Sequence, residues 1–251
     1  MVISLFNWNI MHGRNRKSPV FPPKLSKHEI QRNLAKIATY INQHNPDIVT
    51  LQEIDEKSIL SGNFNQFEFI DKQLNYPYKY FVPSCSIKNI FVSGNGILSK
   101  YPLKNCESFK FNFTFPTDRM GFIVTDVTLP GKIVTIFNLH LVYLDWLKHN
   151  SRKLELDFVE KIAKQKENDL IFSGDFNCEF LGKENSLRNF IENLNLQIYE
   201  PKEHNFETSP SWKPKKRIDW ILISRNLKFT SYTTFSERLS DHLPLMVNIV
   251  S

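Results

Sequence analysis

Amides, carboxylates and histidines close several apolar runs of this sequence, and they are the residues that could do chemistry. The first run ends Asn7-Trp8-Asn9-Ile10, and strand alternation puts Asn7 and Asn9 on one face. The run DIVTLQE finishes on Gln52 and Glu53, and a carboxylate there can ligate a hard cation such as Mg²⁺. The bland alternative is a solvated strand end. In NLHLV, Asn138 and His140 share one face, while Phe137, Leu139 and Leu141 share the other. A lone strand histidine is more often a satisfied core residue, but one beside an amide at a strand end is harder to dismiss. In SGDFN, Gly174 permits a sharp turn, and Asp175 and Asn177 then point into one site or cap their own turn. Asp219, flanked by Ile218, Trp220, Ile221 and Leu222, is costly to bury alone. It either pairs with Arg217 or another cation, or bonds a functional histidine. Ser240-Asp241-His242 offers an orienting carboxylate beside an acid/base or phosphate-stabilising imidazole. No nucleophilic Ser or Cys constellation accompanies these groups. Their sum suits metal-assisted hydrolysis of a phosphoester, with Mg²⁺ neutralising the phosphate and a carboxylate or histidine activating water.

Strands must position these groups. Apolar runs of strand length occupy residues 2–10, 47–53, 78–83, 95–99, 121–129, 132–142, 169–173, 217–224 and 244–250. A helix is expected after Ser26, which forms a capping box with Glu29 ahead of Ile30, Leu34, Ile37, Ala38 and Ile41. Asn45-Pro46 stops it. Further helices are expected over 151–167, with Leu154, Phe158 and Ile162 on one face, and over 186–194, with Leu187, Phe190, Ile191 and Leu194. No linker, repeat or low-complexity tract interrupts the pattern, so residues 1–251 read as one domain. So many strands against three helices are too strand-rich for a doubly wound sheet. A layered α/β sandwich, two sheets covered by helices, accounts better for the count.

The 251 residues carry 32 Lys+Arg against 26 Asp+Glu, a formal net charge of +6, with 41% hydrophobic and 23% charged residues. That composition excludes intrinsic disorder. No run approaches the roughly 18–20 apolar residues of a membrane span. The opening MVISLFNWNI has no basic region ahead of its apolar stretch, so no secretory signal is expected. Cys85, Cys106 and Cys178 form neither a metal-type pair nor a disulfide framework, which fits a reducing, cytoplasmic compartment. The positive charge favours an anionic partner. Low Gly use beside abundant Asn, Lys, Ile and Phe points to an AT-rich genome, which raises the lysine count without a functional cause.

The motif order Asn9, Gln52-Glu53, Gly94-Asn95-Gly96-Ile97-Leu98-Ser99, Asn138-x-His140, Gly174-Asp175-Phe176-Asn177, Arg217-Ile218-Asp219 and Ser240-Asp241-His242 resembles the endonuclease/exonuclease/phosphatase superfamily over residues 7–242. The resemblance implies a four-layer α/β/β/α sandwich of two packed, mainly antiparallel sheets flanked by helices. It implies a Mg²⁺- or Mn²⁺-dependent phosphodiesterase or phosphatase working by in-line attack of water. Carried over by motif, Glu53 is the metal carboxylate, with Asn9 beside it contacting metal or phosphate. His140 and Asn177 hold the scissile phosphate, with Asn138 as a further substrate contact. Asp175 aligns or deprotonates the attacking water. Asp241 orients His242, which stabilises developing charge or acts as acid/base. Asp219 supports a histidine or the metal.

His140 stands where AP endonucleases carry a Tyr-containing pattern, which brings the chain nearer to deoxyribonucleases, sphingomyelinases and inositol phosphatases. The opening NWNIMHG resembles small bacterial members with a trailing His-Gly. Arg119 sits where some members place a substrate arginine, and Arg152 reads as a surface residue. Arg14, Arg16 and Lys17, and Lys213, Lys215, Lys216 and Arg217, adjoin motif-bearing strands and could grip successive phosphates. Phe109, Phe111, Phe113 and Phe115 share a face that is expected to meet the core, a membrane-docking hairpin being the alternative. The expectation is a monomeric nuclease. A phospholipid or inositol-phosphate hydrolase and an inactive phosphate-binding module are the rival readings.

Overall fold

The computed structural model describes residues 1–15, 25–87, 91–111, 120–143, 150–182 and 184–250. Arg16, Lys17, Phe113, Phe115 and Arg119 lie outside the described residues. The strands are β1 (Val2–Asn9), β2 (Ile48–Asp55), β3 (Tyr78–Ile87), β4 (Phe91–Ser99), β5 (Leu103–Lys110), β6 (Gly121–Leu129), β7 (Lys132–His140), β8 (Asp169–Asp175), β9 (Leu196–Ile198), β10 (Asp219–Ser224), β11 (Lys228–Thr234) and β12 (Leu245–Val250). The helices are α1 (Lys27–His44), α2 (Gln66–Leu74), α3 (Ser151–Ala163) and α4 (Ser186–Asn193).

Two six-stranded sheets result, ordered β11-β12-β1-β2-β4-β3 and β5-β6-β7-β8-β10-β9. Each is mixed. The parallel neighbours β1/β2 and β7/β8 are those joined through α1 and α3, because a parallel pair needs a crossover. Three apolar layers glue the stack. Ile3, Leu5, Ile48, Val134, Ile136, Ile171, Ile221, Val247 and Ile249 fill the space between the sheets. Phe6, Trp8, Val49 and Leu51 pack against Ile30, Leu34, Ile37 and Ile41 of α1. Phe137, Leu139, Phe172 and Trp220 pack against α3 and α4. This is the four-layer sandwich.

The capping box of α1 is present: Ser26 Oγ accepts the Glu29 N–H at 3.2 Å and Glu29 Oε2 accepts the Ser26 N–H at 2.8 Å. The third helix differs from expectation. It ends at Ala163, and Leu154 is 42% exposed. Leu156 and Val159 join the expected Phe158 and Ile162 against the core, with the buried Glu155 accepting the Val142 N–H at 2.9 Å. Phe109 stacks on Phe122 with ring centroids 5.0 Å apart, and Phe111 is fully buried, as a core-facing strand requires. Among the described residues no helix is long and apolar enough to cross a membrane.

Alternation assigns the polar residues. The inter-sheet face of β1 reads Ile3, Leu5, Asn7, Asn9; that of β7 reads Val134, Ile136, Asn138, His140; that of β8 reads Ile171, Ser173, Asp175. Each turns from apolar to polar toward the same end of the sandwich.

Candidate active site

That end carries the chemistry. His140 faces Asp175 across the parallel β7/β8 pair, and Asp175 faces Asp219 across the antiparallel β8/β10 pair. From the other sheet come Asn9 and Glu53, at the ends of β1 and β2. His242 arrives on the loop before β12, its carbonyl accepting the Trp8 indole N–H at 2.9 Å. Glu53, His140, Asp175, Asn177, Asp241 and His242 line a cavity of about 490 Å³, whose outer wall includes Met120, Tyr143, Trp212 and Lys216.

Glu53 reaches the cavity because β2 breaks its pleat. The β2/β4 register shifts between Leu51 and Ile54, and Glu53 takes φ +53°. Such a bulge re-aims one side chain. Asn9 Nδ2 donates to Glu53 Oε1 at 3.2 Å and to Asp175 Oδ2 at 3.0 Å, bridging carboxylates from the two sheets. Its Oδ1 accepts the Met11 N–H at 3.1 Å. This corrects the expected metal contact: Asn9 turns an NH₂ toward the carboxylates, and an NH₂ does not ligate a cation.

The orienting carboxylate of His242 is Asp219, and this too corrects the motif reading. Asp219 Oδ2 lies 2.8 Å from His242 Nδ1 and also accepts the Thr208 hydroxyl. Asp241, adjacent in sequence, lines the cavity instead, and its backbone carbonyl accepts the Ser211 N–H at 2.7 Å. With Nδ1 held, His242 presents Nε2, 3.7 Å from Asp175 Oδ2. Asp175 Oδ1 accepts the Asn177 N–H at 2.9 Å, so the self-capped turn and the cavity-lining asparagine coexist.

Burial and charge set the protonation states. Burial opposes the His242 charge, but Asp219 and Asp175 outweigh it and hold the imidazolium well above its usual range. Burial pushes the Asp175 carboxyl up, to about 8, with His242 opposing and Asp219 adding to the rise. Burial pushes His140 down despite Glu53, whose oxygen is 3.6 Å from Nε2. Glu53 stays below the ordinary carboxylate range because His12 and His140 overcome its desolvation.

His12 is the residue that motif reading left without a role. It stands on a left-handed turn after β1, with Nε2 3.1 Å from Glu53 Oε2 and Nδ1 2.8 Å from Asp55 Oδ1. The His-Gly string was its only sequence signal. Trp212 and Tyr143 were also missed.

Asn138 does not face the cavity. It is fully buried, accepting from Gln52 Nε2 at 2.7 Å and donating to the carbonyls of Leu51 and Gly96. Every donor it has is spent inside the sandwich. Arg217 likewise leaves the expected basic flank: its guanidinium sits over Trp220, Tyr232 and Phe206 at 4.1, 4.7 and 4.8 Å. Of the expected substrate lysines, Lys216 lines the main cavity, Lys215 lines a smaller neighbouring one, and Lys213 is exposed on the same loop. Arg152, expected as a surface residue, pairs with Glu184 at 2.6 Å.

The donor set fits a divalent cation. Glu53, Asp175 and Asp219 crowd one buried region, and Asp219 Oδ1 is buried with no hydrogen-bond partner among the described residues. Asp175, Asp219 and His242 bring ligand atoms within 4.8 Å of one another. Buried anions at this density are costly without positive charge, and carboxylate oxygens suit a hard ion.

The family model for the Endonuclease/Exonuclease/phosphatase family matches residues 6–242. Among solved structures, the chain is similar to an endonuclease/exonuclease/phosphatase from Beutenbergia cavernae DSM 12333, with 16% identity and TM-score 0.76 over 99% of this chain and 71% of that one. It is similar to a protein of the same family from Leptotrichia buccalis C-1013-b, with 17% identity and TM-score 0.75 over 99% and 100% of the two chains. The mannosyl-6-phosphatase Bt3783 of Bacteroides thetaiotaomicron VPI-5482 gives 16% identity and TM-score 0.73 over 99% and 100%. No curated protein matches the chain. With its family model matched almost end to end and Glu53, His140, Asp175, Asn177, Asp241 and His242 lining one cavity, the chain belongs to the endonuclease/exonuclease/phosphatase family of phosphoester hydrolases.

Proposed function

We propose that the protein is a divalent-metal-dependent phosphodiesterase acting on nucleic acid. One observation carries the reaction: Glu53 from one sheet meets Asp175 and His242 on one cavity wall, with Asp219 bonded to His242 from behind. A Mg²⁺ or Mn²⁺ held by Glu53 would supply positive charge against the phosphoryl oxygens. The chain does the rest. Asp175, with its raised proton affinity, aligns water and accepts its proton. The His242 imidazolium, aimed by Asp219, donates from Nε2 to a phosphoryl or leaving oxygen. Neutral His140 and the amide of Asn177 hold the phosphate on the far side.

The preference for nucleic acid rests on the outer wall. Lys216 offers a phosphate contact at the cavity, and Lys213 and Lys215 continue the same loop. Trp212 and Tyr143 give flat faces for a base to stack on.

The test incubates the purified protein and Mg²⁺ or Mn²⁺ with plasmid DNA, RNA, sphingomyelin and inositol polyphosphates, with Glu53→Ala and His242→Ala as controls. DNA or RNA cleavage abolished in both variants is expected. Turnover of lipid or inositol phosphate alone would sink the nucleic-acid reading. Cleavage surviving both EDTA and Glu53→Ala would sink the metal. Reversal of Lys213, Lys215 and Lys216 to Glu should lower the salt slope of binding by about one for each phosphate that is no longer neutralised.

A further inference from the structure

Three successive left-handed residues stand at one spot the mechanism has not used. Met11, His12 and Gly13 follow β1 at φ +47°, +55° and +71°, and Glu53 opposite them is at +53°. Such conformations persist where surrounding structure over-determines them. Here the surroundings do. Asn9 Oδ1 accepts the Met11 N–H at 3.1 Å, Gln66 Nε2 donates to the His12 carbonyl at 2.8 Å, and Asn33 Nδ2 donates to the Gly13 carbonyl at 3.0 Å. A Cβ on Gly13 would come within 2.9 Å of Ile30 and Leu34 of α1, so the turn is clamped against the helix.

The clamp aims one ring. His12 Nε2 meets Glu53 Oε2 at 3.1 Å, while Nδ1 meets Asp55 Oδ1 at 2.8 Å. Asp55 is fully buried and fixed in turn: Ser61 donates to its other oxygen, and Gln66 Oε1 accepts its N–H at 3.1 Å. Phe91 closes the ring edge-on, 5.2 Å between centroids. Glu53 Oε1 is held separately by Asn9 at 3.2 Å. The carboxylate on the bulge is thus gripped at both oxygens, one by each side of the site.

We propose that His12, braced by Asp55, is a positioning residue that fixes the rotamer of Glu53 for its cation. The proposal rests on the reading of Glu53 as the metal carboxylate. Hydrogen-bond partners behind a ligating carboxylate typically alter metal affinity by 10–100-fold when removed. His12 therefore sets how tightly the cation is held, and through it how much is needed for turnover.

Two substitutions separate this from a packing role. An asparagine amide reaches about as far as Nδ1 and tolerates the left-handed backbone, so His12→Asn keeps Asp55 and releases Glu53. A glutamine amide reaches about as far as Nε2, so His12→Gln keeps the donor to Glu53. Mn²⁺ binding to the full chain is measured by titration calorimetry, beside the Mn²⁺ dependence of turnover and the urea midpoint of each metal-free variant. His12→Asn should weaken Mn²⁺ by about 10–100-fold, with kcat at saturating Mn²⁺ largely recovered. His12→Gln should return most of the affinity. Parental or tighter Mn²⁺ binding in His12→Asn overturns the proposal, and so does equal weakening in both variants. Glu53→Ala keeps the levels of inference apart. If it binds Mn²⁺ like the parent, the reading of Glu53 has failed. If it loses Mn²⁺ while His12→Asn does not, only the role of His12 has.

Discussion

Replacing Gln52 by methionine should cost the protein about 1–2 kcal/mol, although no cavity is opened. Gln52 is fully buried between the sheets. Its Nε2 donates to Asn7 Oδ1 on β1 at 2.8 Å and to Asn138 Oδ1 on β7 at 2.7 Å. Two hydrogen bonds at about 1 kcal/mol each disappear. Asn7 Oδ1 keeps the Thr50 and Ser173 hydroxyls, at 2.9 and 3.1 Å, and stays satisfied. Asn138 Oδ1 has only the Gln52 donor among the described residues, and is orphaned. Gln52 Oε1 is itself buried without a partner among the described residues, so its removal returns part of the loss. The balance stays unfavourable because one orphan is exchanged for another while two bonds vanish.

Urea titration reads the change, with a thermal scan beside it. At this chain length about 2–4 °C accompany each kcal/mol, so a fall of roughly 2–8 °C is expected. Gln52→Glu sharpens the test, since it puts an oxygen against two acceptor oxygens and a charge into the core. That should cost about 3–5 kcal/mol. A methionine variant as stable as the parent, at unchanged m-value, would mean that the apolar layers alone hold the sheets. If Glu is tolerated as well as Met, the assigned direction of the Gln52 hydrogen bonds is wrong.

Asp219→Asn keeps the shape of the pair but removes the charge that aims and protonates His242, so kcat should fall about 10²–10⁴-fold; parental kcat would return Asp219 to a structural role. Gly174→Ala should destabilise by about 1–3 kcal/mol, because at φ +148° its Cβ would lie 2.0 Å from the Leu139 carbonyl oxygen, on the paired strand β7; an unshifted urea midpoint would show that β7 yields. In EDTA the protein should lose stability as pH rises from about 7 to 9. The folded state raises Asp175 from 3.8 to about 8 and His12 from 6.5 to about 9, and lifts His242 above 6.5, so it binds more protons there than the unfolded chain, and that stabilisation disappears as these groups deprotonate. His140, shifted down, acts in the opposite sense only below 6.5. A thermal midpoint flat from pH 7 to 9, or a slope unchanged in Asp175→Asn, would contradict this.

What the sequence disclosed follows the range of the physics. Alternation is local, so the faces of β1 and β7 could be read without knowing their neighbours: Asn138 with His140, Phe137 with Leu139. The capping box of α1 is local too. The edge strands β5 and β11 escaped notice because an edge needs little apolar surface. Most residues of LKNCESFK and KFTSYTT are partly or fully exposed. The nine-residue α2 was missed despite Phe67, Ile70 and Leu74 at helical spacing. The site misassignments share one cause. Asp241 is beside His242 in sequence, yet alternation and the β8/β10 register deliver Asp219 to its ring. Charge density near a motif misled in the same way: Arg217 precedes Ile218-Asp219, but it lies just ahead of β10 and its guanidinium turns to an aromatic stack.

The same parity explains why Asn138 is present at all. Catalytic carboxylates set directly on the apolar layer would lose their solvation with nothing in exchange. In this protein a neutral polar tier intervenes. Asn138 pairs in register with Ser173, and Asn7 with Thr50. The Thr50 and Ser173 hydroxyls meet at 2.8 Å across the sheets. Above this tier stand His140, Asp175, Asn9 and Glu53; below it lie Ile136, Ile171, Leu5 and Ile48. The strands β2, β7 and β8 therefore pass from apolar to neutral polar to ionisable toward one end, while β1 ends on the amide of Asn9. The middle tier locks the two sheets to each other by direct side-chain bonds, and a shift of either sheet would break several at once. Asn9 can then join Glu53 and Asp175 across the gap because the gap itself is fixed. The amide two residues before the strand-end histidine belongs to the floor of the site, and its spacing is that of the pleat.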